Sequence, residues 1–245
     1  MIEEHEVIID GVTYVPEDDA GEPEPDKPEP EGFVFGPCER DGRWFPVSWG
    51  ETAPPQDALK DQDILDAAEH YDVPAAHIDA VRQVEAGSSG FLLNEPHPAR
   101  PKILFERHWF YKLTPEPVSQ SRPDLSSQTP GGYKGGSAEW DRLRDAAEFD
   151  LPNALRSASW GLGQVMGFNS EVAGCSSIEE YIVQAFSGEA AQFNHMLNFI
   201  ENNHLMDELR RGDWRGFAKG YNGPNYAQND YHNKLARAAA NSKFA

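Results

Sequence analysis

Residues 74–91 read PAAHIDAVRQVEAGSSGF, and this stretch decides the fold class. Pro74 stands where a helix tolerates proline, because the amide hydrogen it lacks would have no intrahelical partner there. Ile78, Val81 and Val84 follow at three-residue steps, which lines them along one side of a helix, and Gly87 ends the run. Glu85 falls one position past Val84 and four past Val81, in the last turn and at the edge of the buried stripe. Desolvation and the negative end of the helix dipole would both make such a carboxyl hold its proton more tightly. The same spacing also fits, and on its own favours, a boundary glutamate paired with Arg82 or Arg107.

Working outward, Asp61 can cap a helix that carries Ile64, Leu65, Ala68 and Tyr71 on one face. Downstream, helical patterns cover residues 138–149 and 152–160. Ser177-Ile178-Glu179-Glu180 has the spacing of a capping box, and Phe193, Met196, Leu197 and Ile200 mark the next helix face. Asp213 and Asp230 are suited to cap short terminal helices. The apolar run Ile103-Leu104-Phe105 allows a small β element, and residues 114–137, rich in Pro, Ser, Gly and Thr, read as a long loop. The expectation is a mainly α domain over residues 57–245, with seven or eight helices and at most a small sheet.

Residues 1–56 differ in kind. Asp10-Gly11 between Val7-Ile8-Ile9 and Val12-Thr13-Tyr14-Val15 is a hairpin signal. Residues 17–31 form a Pro/Glu linker too polar to bury a core, and residues 32–56 hold Phe33, Phe35, Trp44, Phe45 and Trp49, read as a flap. The formal charge is −20, and residues 1–61 alone hold 17 acids and four bases. That balance excludes nucleic acid as a partner, since phosphate binding needs clustered Lys and Arg. The acidic segment is suited to solubility, to weaker binding of anionic wall polymers, or to docking on a partner.

The start, MIEEHEVIIDG, carries acids where a secretory signal needs positive charge, and no run approaches a membrane span. The expected product is made in the cytoplasm without membrane insertion. Cys38 and Cys175 have no metal-ligand spacing and read as two thiols, with a disulfide between them left open. There is no HExxH, paired CxxC, Walker loop or GxSxG elbow, so no metal and no cofactor is expected.

Four segments occur in an order that resembles the N-acetylmuramidase domain of phage endolysins. They are VEAGSSGF (84–91), RPKILFERHWFYKL (100–113), SASWGLGQVMGFN (157–169) and AKGYNGPNYAQNDYHNKLA (218–236). More distantly the arrangement is similar to goose-type lysozymes and soluble lytic transglycosylases, in which a helix-ending Glu precedes a Gly-Leu-x-Gln turn and a Tyr-Asn pair. Here those are Glu85, Gly161-Leu162-Gly163-Gln164 and Tyr221-Asn222.

The resemblance implies a lysozyme-like fold and cleavage of the β-1,4 bond between N-acetylmuramic acid and N-acetylglucosamine in peptidoglycan. It implies that Glu85 is the general acid. Glu106 is the candidate second carboxylate, with an ion pair to Arg107 or Arg100 as its structural alternative and Asp124 as a weaker substitute. Gln164 and Asn222 offer amides to the sugars, Tyr221 a hydroxyl near Glu85, Tyr226 a stacking face, and Ser159 a polar contact. Trp160 and Met166 read as core. A monomeric endolysin is the expectation. Residue types do not separate hydrolysis from lytic transglycosylation, nor an endolysin from a virion lysin or an injected effector. A wall-binding protein without activity is a further alternative.

Overall fold

The computed structural model describes residues 58–93, 100–114, 117–224 and 226–245, together with the backbone of four strands nearer the N-terminus. Two of these strands belong to a unit formed by Met1–Glu31. In it β1 (Val7–Ile9) pairs antiparallel with β2 (Val12–Tyr14), and Ile9 lies opposite Val12. The Pro/Glu linker at 17–31 lies outside the described residues.

The second unit, Gly32–Ala245, opens with β3 (Phe33–Pro37) paired antiparallel to β4 (Trp44–Trp49). The aromatic side chains expected to form a flap lie outside the described residues, as does Cys38. Helices α1 (Asp61–Tyr71) and α2 (Ala75–Ala86) follow. Asp61 sits inside the first turn of α1, and the cap is made instead by the Asp63 carboxylate, which accepts the Lys60 amide at 2.8 Å. Strand β5 (Ile103–Phe105) leads through Glu106 into α3 (Arg107–Leu113) and the short α4 (Pro117–Ser121).

Next come α5 (Ala138–Ala147) and α6 (Leu151–Arg156). The helix expected over 152–160 stops at Arg156, and β6 (Ala158–Trp160) replaces its second half. Ala158-Ser159-Trp160 is short and apolar enough to suit either state, and pairing decides it. β6 lies between β5 and β7 (Val165–Met166) in an antiparallel sheet, with Leu104 opposite Ser159 and Ser159 opposite Met166.

The chain then turns helical to its end: α7 (Ile178–Ser187), α8 (Glu189–Asn202), α9 (Met206–Arg211), α10 (Trp214–Asn222) and α11 (Tyr231–Ala240). The expected caps at α7 and α10 are made, Ser177 accepting the Glu180 amide and Asp213 the Gly216 amide. Asp230 occupies the cap position of α11, but its carboxylate bonds the side chains of Asn233 and Arg237. The domain is thus mainly helical with one small sheet, as its periodicities predict, but the described residues hold eleven α-helices rather than seven or eight, and α4 lies inside the segment read as a loop.

The core forms two clusters. One gathers Phe105, Trp140, Trp160, Tyr181 and Phe186, and the other gathers Ile78, Val81, Met196, Leu197, Phe217 and Leu235. Helix α8 supplies Phe199 to the first and Phe193, Met196 and Ile200 to the second, so it is buried nearly all round. Tyr221 packs against both clusters. Cys175 is buried with a free thiol in the first.

Candidate active site

Helix α2 presents two carboxylates with opposite fates. Asp79 is 1% exposed, and burial alone would push its carboxyl up. Bonds from Ser242, Arg82 and Gln83 outweigh that and hold it below the usual range. Arg82 is therefore committed to Asp79 and does not pair with Glu85.

Glu85, in the last turn, remains partly open to solvent while protein atoms crowd its carboxyl. Burial raises it to about 7, against the opposing pull of two neutral donors, the Tyr231 hydroxyl and the Asn222 side-chain amide. The carbonyl end of α2 adds negative potential at this point. A carboxyl with that balance is half protonated near neutrality, which suits a proton donor.

Several contacts fix the helix end that carries it. Lys102 Nζ donates to the Ala86 carbonyl at 2.9 Å. The loop that follows is pinned by the buried Glu189 at the start of α8, whose carboxylate accepts the Ser89 hydroxyl at 2.6 Å and the Gly90 amide at 2.7 Å. The Ser-Ser-Gly of this loop thus has a structural role.

Beside it, the turn at residues 161–164 approaches α8 so closely that side chains are excluded. A Cβ on Gly161, at φ +64°, would lie 2.6 Å from the Gln192 side chain, and one on Gly163 would lie 2.6 Å from Met196 Cβ. Gln164 adopts φ 49° and secures the turn with its own amide, donating to Gly161 O at 2.8 Å and accepting the Ser159 hydroxyl at 2.9 Å. Ser159 and Gln164 therefore meet each other inside the turn.

Tyr221 donates to Gly163 O at 2.7 Å, joining α10 to the same turn. The hydroxyl that reaches Glu85 is that of Tyr231, while Tyr221 lies near enough to feel the Glu85 charge. Burial, with that charge, pushes both phenols far up, so both stay protonated donors. Asn222 is exposed and bonds both Glu85 and Tyr231. Tyr226 is half-buried with its ring edge-on to His232 at 5.4 Å. Sequence reading passed over Tyr231, although it lies in the 218–236 segment as the aromatic residue that opens the apolar face of α11.

Glu106 belongs to the other end of β5. Its two oxygens accept the Tyr133 hydroxyl at 2.8 and 2.9 Å, and His108 Nδ1 lies 3.0 Å from Oε2. Arg107 turns away, donating to the carbonyls of Thr129, Pro123 and Pro130. The ion pair with Arg107 is not formed. Asp124 is held low mainly by its bond from Arg122, which also pairs with Asp145.

Glu139 is a further carboxylate that sequence reading missed. Fully buried, it accepts the amides of Phe105 at 3.2 Å and Gly135 at 2.9 Å and pairs with Arg142 at 2.7 Å. It ties the 127–137 loop to the sheet. Trp160 is core, edge-on to Trp140 at 5.6 Å. Among the described residues, no cluster of His, Cys, Asp and Glu could hold a metal, and no helix is long and apolar enough to cross a membrane.

This arrangement has known counterparts. The crystal structure of a Burkholderia AP3 phage endolysin is similar at a TM-score of 0.67 and 34% sequence identity, over 76% of this chain and 71% of that one. No curated protein matches the sequence. The model of the N-acetylmuramidase family matches residues 74–243, from the start of the Glu85 helix past the end of α11, and the chain belongs to that family.

Proposed function

We propose that this chain hydrolyses the β-1,4 bond between N-acetylmuramic acid and N-acetylglucosamine in peptidoglycan, with Glu85 as general acid. The observation that carries the reading is the Glu85 carboxyl at the end of α2, raised to about 7 by burial and faced by neutral donors. Its proton passes to the glycosidic oxygen as the bond to the anomeric carbon breaks and positive charge grows on the sugar ring.

Glu106 is assigned as the base for the attacking water. Glu106 stands at the end of β5, the strand that begins directly after Lys102, whose Nζ holds the Ala86 carbonyl at the end of the Glu85 helix. Asn222 offers an exposed amide to the substrate and Tyr226 a ring to a sugar face. Ser159, Gln164 and Tyr221 contribute by shaping the turn on which the sugars rest.

The biological setting we assign is that of an endolysin, made in the bacterial cytoplasm and acting on the wall of the host cell during lysis. Mass spectrometry of fragments released from purified sacculi tests the chemistry. Fragments ending in reducing N-acetylmuramic acid are expected. Fragments lighter by one water would instead mean lytic transglycosylation, and no fragments at all would mean a wall-binding protein.

A further inference from the structure

Tyr133 is 47% exposed, yet its hydroxyl is engaged and its backbone is fastened on both sides. Ahead of it, Arg107 donates to Thr129 O at 2.8 Å and Pro130 O at 3.2 Å, and a Cβ on Gly132 would meet the Arg107 guanidinium at 3.2 Å. Behind it, the amides of Lys134 and Gly135 are both taken by the buried Glu139. A loop of this composition would otherwise sample many conformations. Here it delivers one phenol to one place.

That place is astride the Glu106 carboxylate, at 2.8 Å from Oε1 and 2.9 Å from Oε2. Contact with both oxygens at near-equal distances restrains the rotation of the carboxylate plane. His108 Nδ1 crowds Oε2 from 3.0 Å but makes no hydrogen bond there. Among the described residues Oε1 therefore keeps the less encumbered outer lone pair. We propose that Tyr133 is a positioning residue for the hydrolytic step, locking Glu106 so that Oε1 takes the proton of the attacking water. The inference rests on the assignment of Glu106 as base.

The balance of the step is simple. The water gives one proton to Glu106 Oε1 and its oxygen to the anomeric carbon, while Glu85 gives one proton to the departing sugar oxygen. Tyr133 transfers nothing. It keeps the acceptor aimed, so its loss should slow turnover without weakening substrate binding.

The test compares Tyr133→Phe, Glu106→Gln and the double variant on a soluble peptidoglycan fragment, with thermal unfolding as a check on the fold. Tyr133→Phe should lower kcat about tenfold, the scale of one lost charge-assisted hydrogen bond, and change KM less than about twofold. In the Glu106→Gln background the same substitution should cost nothing further. A raised KM with kcat kept, or an equal loss in the Glu106→Gln background, would mean that Tyr133 acts on the sugar and would overturn the proposal. Full activity of Glu106→Gln alone would instead overturn the base assignment on which it stands.

Discussion

Tyr231 donates its hydroxyl hydrogen to Glu85 from 146 residues further along the chain. The bond joins α11 to the end of α2, and Asn222 from α10 joins the same carboxyl. Helix α2 and the distant C-terminal helices α10 and α11 thus share one proton-bearing group. The contrast with Asp79 on the same helix shows what decides the state of each. Asp79 receives a guanidinium and neutral donors and stays ionised, whereas among the described residues Glu85 receives two neutral donors and burial prevails.

The first prediction concerns pH. On the proposed role of Glu85 as general acid, with burial raising its carboxyl to about 7, activity should fall as pH rises through neutrality. Initial rates on sacculi between pH 5 and 9 check this. A rate that stays level to pH 9 would remove Glu85 as the proton donor.

Replacing Glu85 with Gln should abolish most activity, by about a thousandfold or more, on the general scale of losing an essential acid. The variant should also be the more stable protein in alkali. A carboxyl raised on folding lets the native state bind more protons than the unfolded chain, so wild-type stability declines from the unfolded value near 4.5 up to about 7 and then levels. The difference between the two proteins should widen from pH 5 to pH 8 by up to about 3 kcal/mol, reduced by the solvent that still reaches the group. Chemical denaturation at both pH values measures it.

Tyr231→Phe should shift the alkaline limb upward. Its hydrogen bond favours the ionised carboxylate, so without it Glu85 keeps its proton to higher pH. Asn222→Ala should move the limb in the same direction. A downward movement in either variant would mean that these groups do not face the carboxyl as described.

Glu139→Ala should destabilise strongly. The substitution strands Arg142, 2% exposed, together with the amides of Phe105 and Gly135. Breaking a buried pair of this kind costs about 3–5 kcal/mol. A thermal midpoint within a degree or two of wild type would contradict the account of how the 127–137 loop is held.

Most of the helical frame was legible because it rests on local signals. Pro74 and Gly87 bracket α2, and Ser177 and Asp213 make their caps. The place of Glu85 on the stripe marked it out but on spacing alone favoured an ion pair, and its role as acid came from the family resemblance. Its partners stayed hidden because Arg82 and Asp79 settle between themselves what periodicity leaves open. Residues 158–160 were misread because strand pairing with Ile103–Phe105 is non-local. Tyr231 and Glu139 escaped for a related reason. Nothing in the neighbouring sequence of either residue announces that its partners lie on distant elements.

The same long-range closure sets an order in time. A ribosome must pass residue 231 before α11 can dock and before the hydroxyl that faces Glu85 exists. Until then the contacts that α11 supplies at Glu85 are missing. On the proposed role of Glu85 as general acid, the growing chain gains its competence only once α11 is in place.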